Sequence, residues 1–153
     1  MNQEIQMKPF GLEHSNLLLS WRNLPSVRKY SRNTEPISVE THKLWIKNYF
    51  GLTNKKFIFI FFIDNEPIGM TRLDKLENAQ YEISIIIAPK YQNKGYSKKL
   101  VRETLQHADS ILGCREVIAA VHNQNFVSCH LFESLGFWIF EDSDTFIKYI
   151  LKI

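Results

Sequence analysis

A mixed α/β fold, one sheet of antiparallel and parallel strands flanked by helices, is the class predicted for this 153-residue chain. Three observations predict it. Phe57 to Ile63 is an unbroken run of aromatic and β-branched residues, the pattern of a strand buried on both faces. Asp64-Asn65-Glu66-Pro67 follows as a turn, and Ile68 to Leu73 returns as the hairpin partner. Farther on, the apolar run Ile83 to Ile87 breaks at Pro89, passes through a polar loop holding Gly95, and gives way to a helical pattern near Ser97. Hairpins early and strand–helix units late assemble naturally into a mixed sheet.

The remaining elements follow from periodicity. Ile5 and Met7 alternate with polar neighbours as a short first strand. Leu17, Leu18, Trp21 and Leu24 recur at helical spacing, and Pro25 is expected to end that helix. Ser38 offers an N-cap with Glu40 in the first turn, and Leu44, Trp45, Tyr49 and Phe50 are expected to form the apolar side of a second helix. Residues 79–87 read as a strand. Leu100, Val101, Leu105, Ala108 and Ile111-Leu112 form the stripe of the helix after the loop. Val117 to Val121 is a strand, and Phe126 to Leu135 a helix stopped by Gly136 in a left-handed cap. Trp138 to Phe140 and Phe146 to Ile150 close the chain as two strands. The predicted order is β-α-α-β-β-β-α-β-α-β-β in a single domain, residues 1–153.

Composition excludes several function classes. Nineteen basic against sixteen acidic side chains leave a net charge of +3, and no basic stripe interleaved with aromatics points to nucleic acid. No apolar run approaches the roughly 20 residues that span a bilayer. The N-terminus, Met1 to Ile5, lacks the basic-then-apolar order of a leader. Cys114 and Cys129 have neither metal-ligand spacing nor a disulfide framework, so no metal is expected. Two thiols read most simply as reduced, which points to the cytoplasm.

The strand–loop–helix passage carries chemistry. A helix start behind a Gly-containing loop gathers free backbone N–H groups and the positive end of a helix dipole, a ready site for phosphate or pyrophosphate. Lys94, Lys98 and Lys99 add positive charge there. The loop Gln92-Asn93-Lys94-Gly95-Tyr96-Ser97 resembles the Gln/Arg-x-x-Gly-x-Gly/Ala signature of the GCN5-related N-acetyltransferases (GNAT), which cradles the pyrophosphate of acetyl-coenzyme A, with Ser97 at the last small position. Asn123, Ser128 and Leu131-Phe132-Glu133-Ser134-Leu135-Gly136-Phe137 resemble the family's Asn-x-x-Ala/Ser…Tyr-Glu-x-Leu-Gly-Phe segment. The element order is similar over essentially the whole chain.

That resemblance implies an acyl-CoA N-acyltransferase fold with two central strands splayed around the pantetheine arm, and acetyl-coenzyme A as co-substrate. Ile85, Ile86 and Ile87 would contact the arm, their backbone N–H groups holding the acetyl carbonyl and stabilising its oxyanion. Gln92, Asn93, Lys94, Gly95, Tyr96, Ser97 and Lys98 would hold the pyrophosphate. Asn123 and Ser128 would meet the pantetheine from the other side, although Asn at position 123 also suits a turn or a cap. Glu82 is the favoured base: it shares a strand face with Ser84 and Ile86, and burial would make its carboxyl more basic. A salt bridge to Arg72 is the competing reading. His122 and His42 are further candidates for proton relay. Phe132 stands where the family commonly has a tyrosine acid, leaving Tyr91, Tyr96, His130 or solvent to protonate the thiolate.

The acceptor wall is expected in the first two helices. Trp21-Arg22-Asn23-Leu24-Pro25 with Ile37-Ser38 and His42 is similar to the acetyltransferases of pseudaminic-acid biosynthesis, which act on a UDP-linked amino sugar, and more loosely to those acting on ribosomal-protein N-termini. Trp21, Arg22, Arg28 and His42 are the expected acceptor residues, with Arg32, Tyr30 and Trp45 beside them. The arginines suit phosphates and the aromatic rings suit stacking; core anchors and solvated helix faces are the alternative. The expected partner is a small amine, a nucleotide-linked amino sugar first, and a homodimer is a further expectation. A weakly catalytic acetyl-coenzyme A-binding module is the reading from another class.

Overall fold

The apolar run at 57–63 becomes a strand because it feeds two cores at once. In the computed structural model, which describes residues 4–52 and 54–153, Phe59, Phe61 and Ile63 enter one apolar cluster while Ile58, Ile60 and Phe62 enter another. Alternation sends successive side chains to opposite faces, so a strand buried on both must be apolar throughout. Each such side chain contributes about 1.5–3 kcal/mol on burial. The leader reading falls partly on residues 1–3, outside the described residues. Among the described residues, no helix is long and apolar enough to cross a membrane.

The elements are β1 (Gln6–Pro9), α1 (Ser15–Arg22), α2 (Pro25–Arg28), α3 (Val39–Gly51), β2 (Lys56–Ile63), β3 (Glu66–Lys75), β4 (Gln80–Ile87), α4 (Tyr96–Ser110), β5 (Glu116–His122), α5 (Phe126–Ser134), β6 (Trp138–Asp142) and β7 (Phe146–Lys152). They form a seven-stranded sheet in the order β1-β2-β3-β4-β5-β7-β6. All pairs are antiparallel except β4–β5. Asp64 and Asn65 both take positive φ, 48° and 66°, the two-residue turn whose twist suits a hairpin. One core packs α4 and α5 against the sheet; the other packs α1 and α3 on the opposite face.

Local expectations hold with three corrections. Pro25 does not end the first helix: α1 stops at Arg22, and Pro25 opens α2 at a position where its missing N–H costs nothing. On α3, Leu44 is 65% exposed and Phe50 is also exposed. His42 and Ile46, one turn apart, are the buried pair, flanked by Trp45 and Tyr49. Ile111 lies past the end of α4 and points to solvent. Ser38 caps α3 as expected, its Oγ accepting from the Thr41 N–H at 3.1 Å.

The tail motif has a physical reading of its own. At the end of α5 the Gly136 N–H donates to Glu133 O (3.1 Å) and the Phe137 N–H to Phe132 O (3.0 Å), with Gly136 at φ 91°. This is the Schellman stop, completed by the Phe132–Phe137 ring contact at 5.0 Å. Glu133 accepts from the buried Tyr149 hydroxyl at 2.6 Å, tying α5 to β7.

A buried hydroxyl chain fixes α4 to β3. Thr104 Oγ1 donates to Leu100 O (2.8 Å), so at the 2.7 Å Thr71–Thr104 contact Thr71 must be the donor. Thr104→Val leaves the Thr71 hydroxyl buried without an acceptor and is expected to destabilise by about 1–3 kcal/mol in urea melts. The Thr71→Val/Thr104→Val double variant should recover part of that loss. An additive double variant would show that the two hydroxyls are not coupled.

Candidate active site

β4 and β5 pair only at Gln80↔Glu116, Tyr81↔Val117 and Glu82↔Ile118. Beyond that point each strand continues with its other neighbour: β4 with β3 as far as Ile87↔Gly69, β5 with β7 as far as His122↔Phe146. The two central strands therefore splay, and backbone groups of Ile83 to Ile87 not bonded to β3 face the gap. Ile85, Ile86 and Ile87 lie along this open edge. Asn123 and Ser128 stand at the far rim. The Asn123 amide donates to Asp144 O at 2.6 Å, so its nitrogen holds the β6–β7 turn and Oδ1 remains the group it can offer. The helix cap is Asn125, which accepts from the Ser128 N–H at 3.3 Å.

At the end of β4 the chain turns through Pro89–Tyr91, and Asn93 and Gly95 take positive φ, 61° and 80°. Gly95 is the N-cap of α4, and no side chain caps the helix there. The first turn carries no acidic residue but does carry Lys98 and Lys99, the reverse of what a helix N-terminus prefers on its own. Uncapped N–H groups and surplus positive charge together fit a bound pyrophosphate. Gln92 donates to Ile87 O at 3.1 Å, and Lys94 lies over the Tyr91 ring at 5.9 Å. Tyr96 meets Tyr91 edge to face at 5.9 Å, and Ser97 is half-buried beside it.

On the α1/α3 face, a polar cluster borders the gap. Directly opposed residues share a face, which places Arg72 beside Ser84 and Asp74 beside Glu82. Glu82 does form the salt bridge of the competing reading, but with Arg32 in place of Arg72. Arg72 Nη2 bonds Asp74 Oδ2 at 3.1 Å, while Glu82 takes a two-pronged contact from Arg32, Nη2–Oε1 at 2.9 Å and Nη1–Oε2 at 3.4 Å. Arg72 Nε and Asp74 Oδ1 are buried without hydrogen-bond partners. His122 lies between the Tyr30 and Phe146 rings, at 5.4 and 5.5 Å. Asp74 is the member that sequence reasoning missed, because the predicted strand runs only from Ile68 to Leu73; the structure carries it to Lys75 and puts Arg72 and Asp74 on one face.

The acceptor motif resolves into clamps. Trp21 is 5% exposed and His42 2% exposed, so both side chains pack into the core on the α1/α3 face. His42 Nε2 donates to Ser15 O at 2.9 Å, so Nδ1 is the acceptor for Arg22 Nη1 at 3.3 Å. Arg22 also lies over the Trp45 ring at 4.5 Å. Asn23 grips Ile37 through both amide atoms, 2.9 and 2.8 Å. Arg28, another expected acceptor residue, is spent on Asn23 O and Thr34 O at 3.2 and 3.1 Å. Of the acid candidates, Tyr91 is shifted to a less acidic hydroxyl, first by its bond to Glu66, and His130 is exposed on α5. The surface hollows of about 220 Å³ (at Lys55 and Lys75) and about 310 Å³ (at Gly113 and Arg115) do not touch the gap.

The family model for the acetyltransferase (GNAT) domain matches residues 4–138. The chain belongs to the GNAT acetyltransferases. It is 27% identical over 151 residues to acetyltransferase PseH of Campylobacter jejuni, covering 97% of this chain and 94% of that protein. The crystal structure of PseH with acetyl coenzyme A superposes with a TM-score of 0.76 at 20% identity, over 97% of this chain and 99% of that one. Spermidine N(1)-acetyltransferase of Escherichia coli is 24% identical over 137 residues, 87% of this chain and 72% of that protein. The Vibrio cholerae spermidine N-acetyltransferase in complex with CoA and spermine has the same fold, with a TM-score of 0.86 at 20% identity over 99% of this chain and 96% of that one. This GNAT protein is an acetyl-coenzyme A-dependent N-acetyltransferase acting on an amine.

Burial, opposed by the Ser15 bond and reinforced by Arg22, lowers the His42 pKa below its ordinary value near 6.5. The unfolded chain then binds more protons at acid pH, so the contribution of neutral His42 is full above that value and lost as pH falls toward the lowered one. The stability difference between wild type and His42→Asn, measured by denaturant melts, is expected to shrink from pH 7.5 to pH 5.5. A difference that grows with acidification would reverse the assignment.

Proposed function

We propose that this GNAT enzyme transfers acetyl directly to the amino group of an anionic acceptor, a nucleotide-linked amino sugar. The observation that carries this reading is the guanidinium excess at the gap. Arg32 pairs with Glu82 and Arg72 with Asp74, while Arg22, near enough to Arg72 to feel its charge, has no carboxylate partner among the described residues; the five groups leave one positive charge. Arg22 is lowered from its ordinary value by burial and then by the Arg72 charge. Two guanidiniums that repel one another in a half-buried site favour a diphosphate and disfavour a polycation. The unpartnered Arg72 Nε and Asp74 Oδ1, a buried donor beside a buried acceptor, suit the hydroxyl and amino groups of a sugar.

Acetyl-coenzyme A, when bound, supplies an activated acetyl group whose transfer forms an N–C bond, breaks a C–S bond and moves one proton overall from nitrogen to sulfur. Gln92 to Lys98 hold the pyrophosphate in this reading, and Ile85 to Ile87 orient the carbonyl through backbone N–H groups. Asn123 Oδ1 and Ser128 receive the pantetheine from the β5 side. Glu82 takes the amine proton, with His122 next in line at the end of β5.

The test is thiol release across an acceptor panel: a UDP-linked 4-amino sugar, spermidine and N-terminal peptides. The expected outcome is the highest kcat/KM on the UDP-linked sugar. Turnover confined to spermidine would favour the polyamine reading, for which the unpaired Asp74 oxygen is the supporting observation. Turnover confined to peptides would favour the ribosomal-protein type.

Glu82→Gln removes the base while keeping the shape. It is expected to lower kcat by about 10²–10⁴-fold with the KM for acetyl-coenzyme A unchanged. A change confined to the acceptor KM would assign Glu82 to binding instead.

A further inference from the structure

Arg32 stands in the way of the carboxylate that the proposed reaction needs. Its fork covers both Glu82 oxygens, yet the Arg32 side chain is 62% exposed while Glu82 is 14% exposed. Glu82 and Asp74 are directly opposed across β3–β4, an arrangement that is unfavourable for like charges unless a cation sits between them. Arg32 is that cation: its pKa is raised first by the bond to Glu82, and the Asp74 charge adds to the effect. Arg72, the nearer guanidinium in sequence, is already committed to Asp74.

The backbone beneath Arg32 is pinned while its side chain is not. Asn23 holds Ile37, Arg28 holds Thr34 O, and Ser31 Oγ donates to Val27 O at 2.8 Å. Tyr30 packs on His122. The guanidinium also lies over the Phe146 ring at 5.9 Å. A pair exposed on one side contributes little net stability, so it exchanges readily for a better anion. A diphosphate is such an anion, since it accepts the same two-pronged contact at higher charge.

We propose that Arg32 is the specificity-determining residue of the acceptor site: it covers Glu82 in the free enzyme and passes to the anionic group of the incoming acceptor, uncovering the Asp74–Glu82 pair for the amine. This deepens the anionic-acceptor reading and rests on it. A polycation brings no anion to draw Arg32 away and meets a net positive cluster, so Arg32 excludes it. Arg32→Gln removes that charge and should invert the selectivity.

The experiment compares kcat and KM of wild type, Arg32→Gln and Arg32→Lys on the UDP-linked 4-amino sugar and on spermidine. Expected for Arg32→Gln is a loss of about 10–100-fold in kcat/KM on the nucleotide sugar, mainly in KM, from one lost charge-assisted contact. A gain on spermidine should accompany it, and Arg32→Lys should fall between. Equal losses on both acceptors would overturn the proposal, leaving Arg32 as a support for Glu82, while the acceptor reading stands on wild-type turnover. Wild type that prefers spermidine with Arg32 in place would overturn the acceptor reading and this proposal together, and that result is visible without any variant.

Discussion

The short pairing of β4 with β5 is the constraint on which the site depends. After Glu82 and Ile118 the strands part, although neither is loose. β3 supports β4 through Ile87, and β7 supports β5 through His122. A gap in the middle of a sheet normally costs unpaired backbone hydrogen bonds. Here the cost is confined to two rigid edges facing one another, a geometry that an extended chain with its own amides can fill. The same parting places the end of β4 beside the uncapped start of α4. In the proposed reading, the thioester end and the pyrophosphate end of the donor meet this single break in register.

The opposite face is organised by contacts across sequence rather than by the sheet. Asn23 to Ile37, Arg28 to Thr34, and His42 to Ser15 and Arg22 close the segment between α1 and α3 over the gap. Each uses a polar side chain to satisfy backbone or buried groups that an irregular segment would leave unpaired. Because the neutral His42 ring accepts from Arg22, that guanidinium is aimed without being neutralised. Positive charge on the α1/α3 face is therefore built into the scaffold.

This explains what the sequence could disclose. Strands and helices were legible because a two-faced strand such as Phe57 to Ile63 and a stopped helix such as α5 have local causes. The loop before α4 was legible for the same reason: Gln92 to Ser97 are contiguous, and Gly95 marks the helix start. The stretch from Trp21 to His42 was legible as a pattern and opaque in meaning. Its partners lie 5 to 27 positions apart, and residue type alone does not separate a clamp from a ligand. The apolar side of α3 was misjudged because Leu44 and Trp45 are adjacent, so periodicity admits either face. His42 and Ile46 took the core with Trp45 and Tyr49 packed beside them, while Leu44 and Phe50 stayed exposed.

Phe132 shows how one residue can satisfy the fold while withdrawing from the chemistry. It is 3% exposed, packs on Phe137 and lies at the carbonyl that closes the Schellman stop. A hydroxyl added at such a position would need a partner on this side of the core. The nearest α5 carboxylate, Glu133, already accepts from Tyr149, whose hydroxyl is made less acidic by burial and by that bond. The reaction tolerates the phenyl ring for a reason on the leaving-group side. A thiol has an ordinary pKa near 8.5, so in the proposed reaction a thiolate can depart near neutral pH without a dedicated acid. With Glu82 as the proposed base, the demanding proton transfer lies on the acceptor side, because amines are far more basic than carboxylates. The charged groups are gathered there, around Glu82.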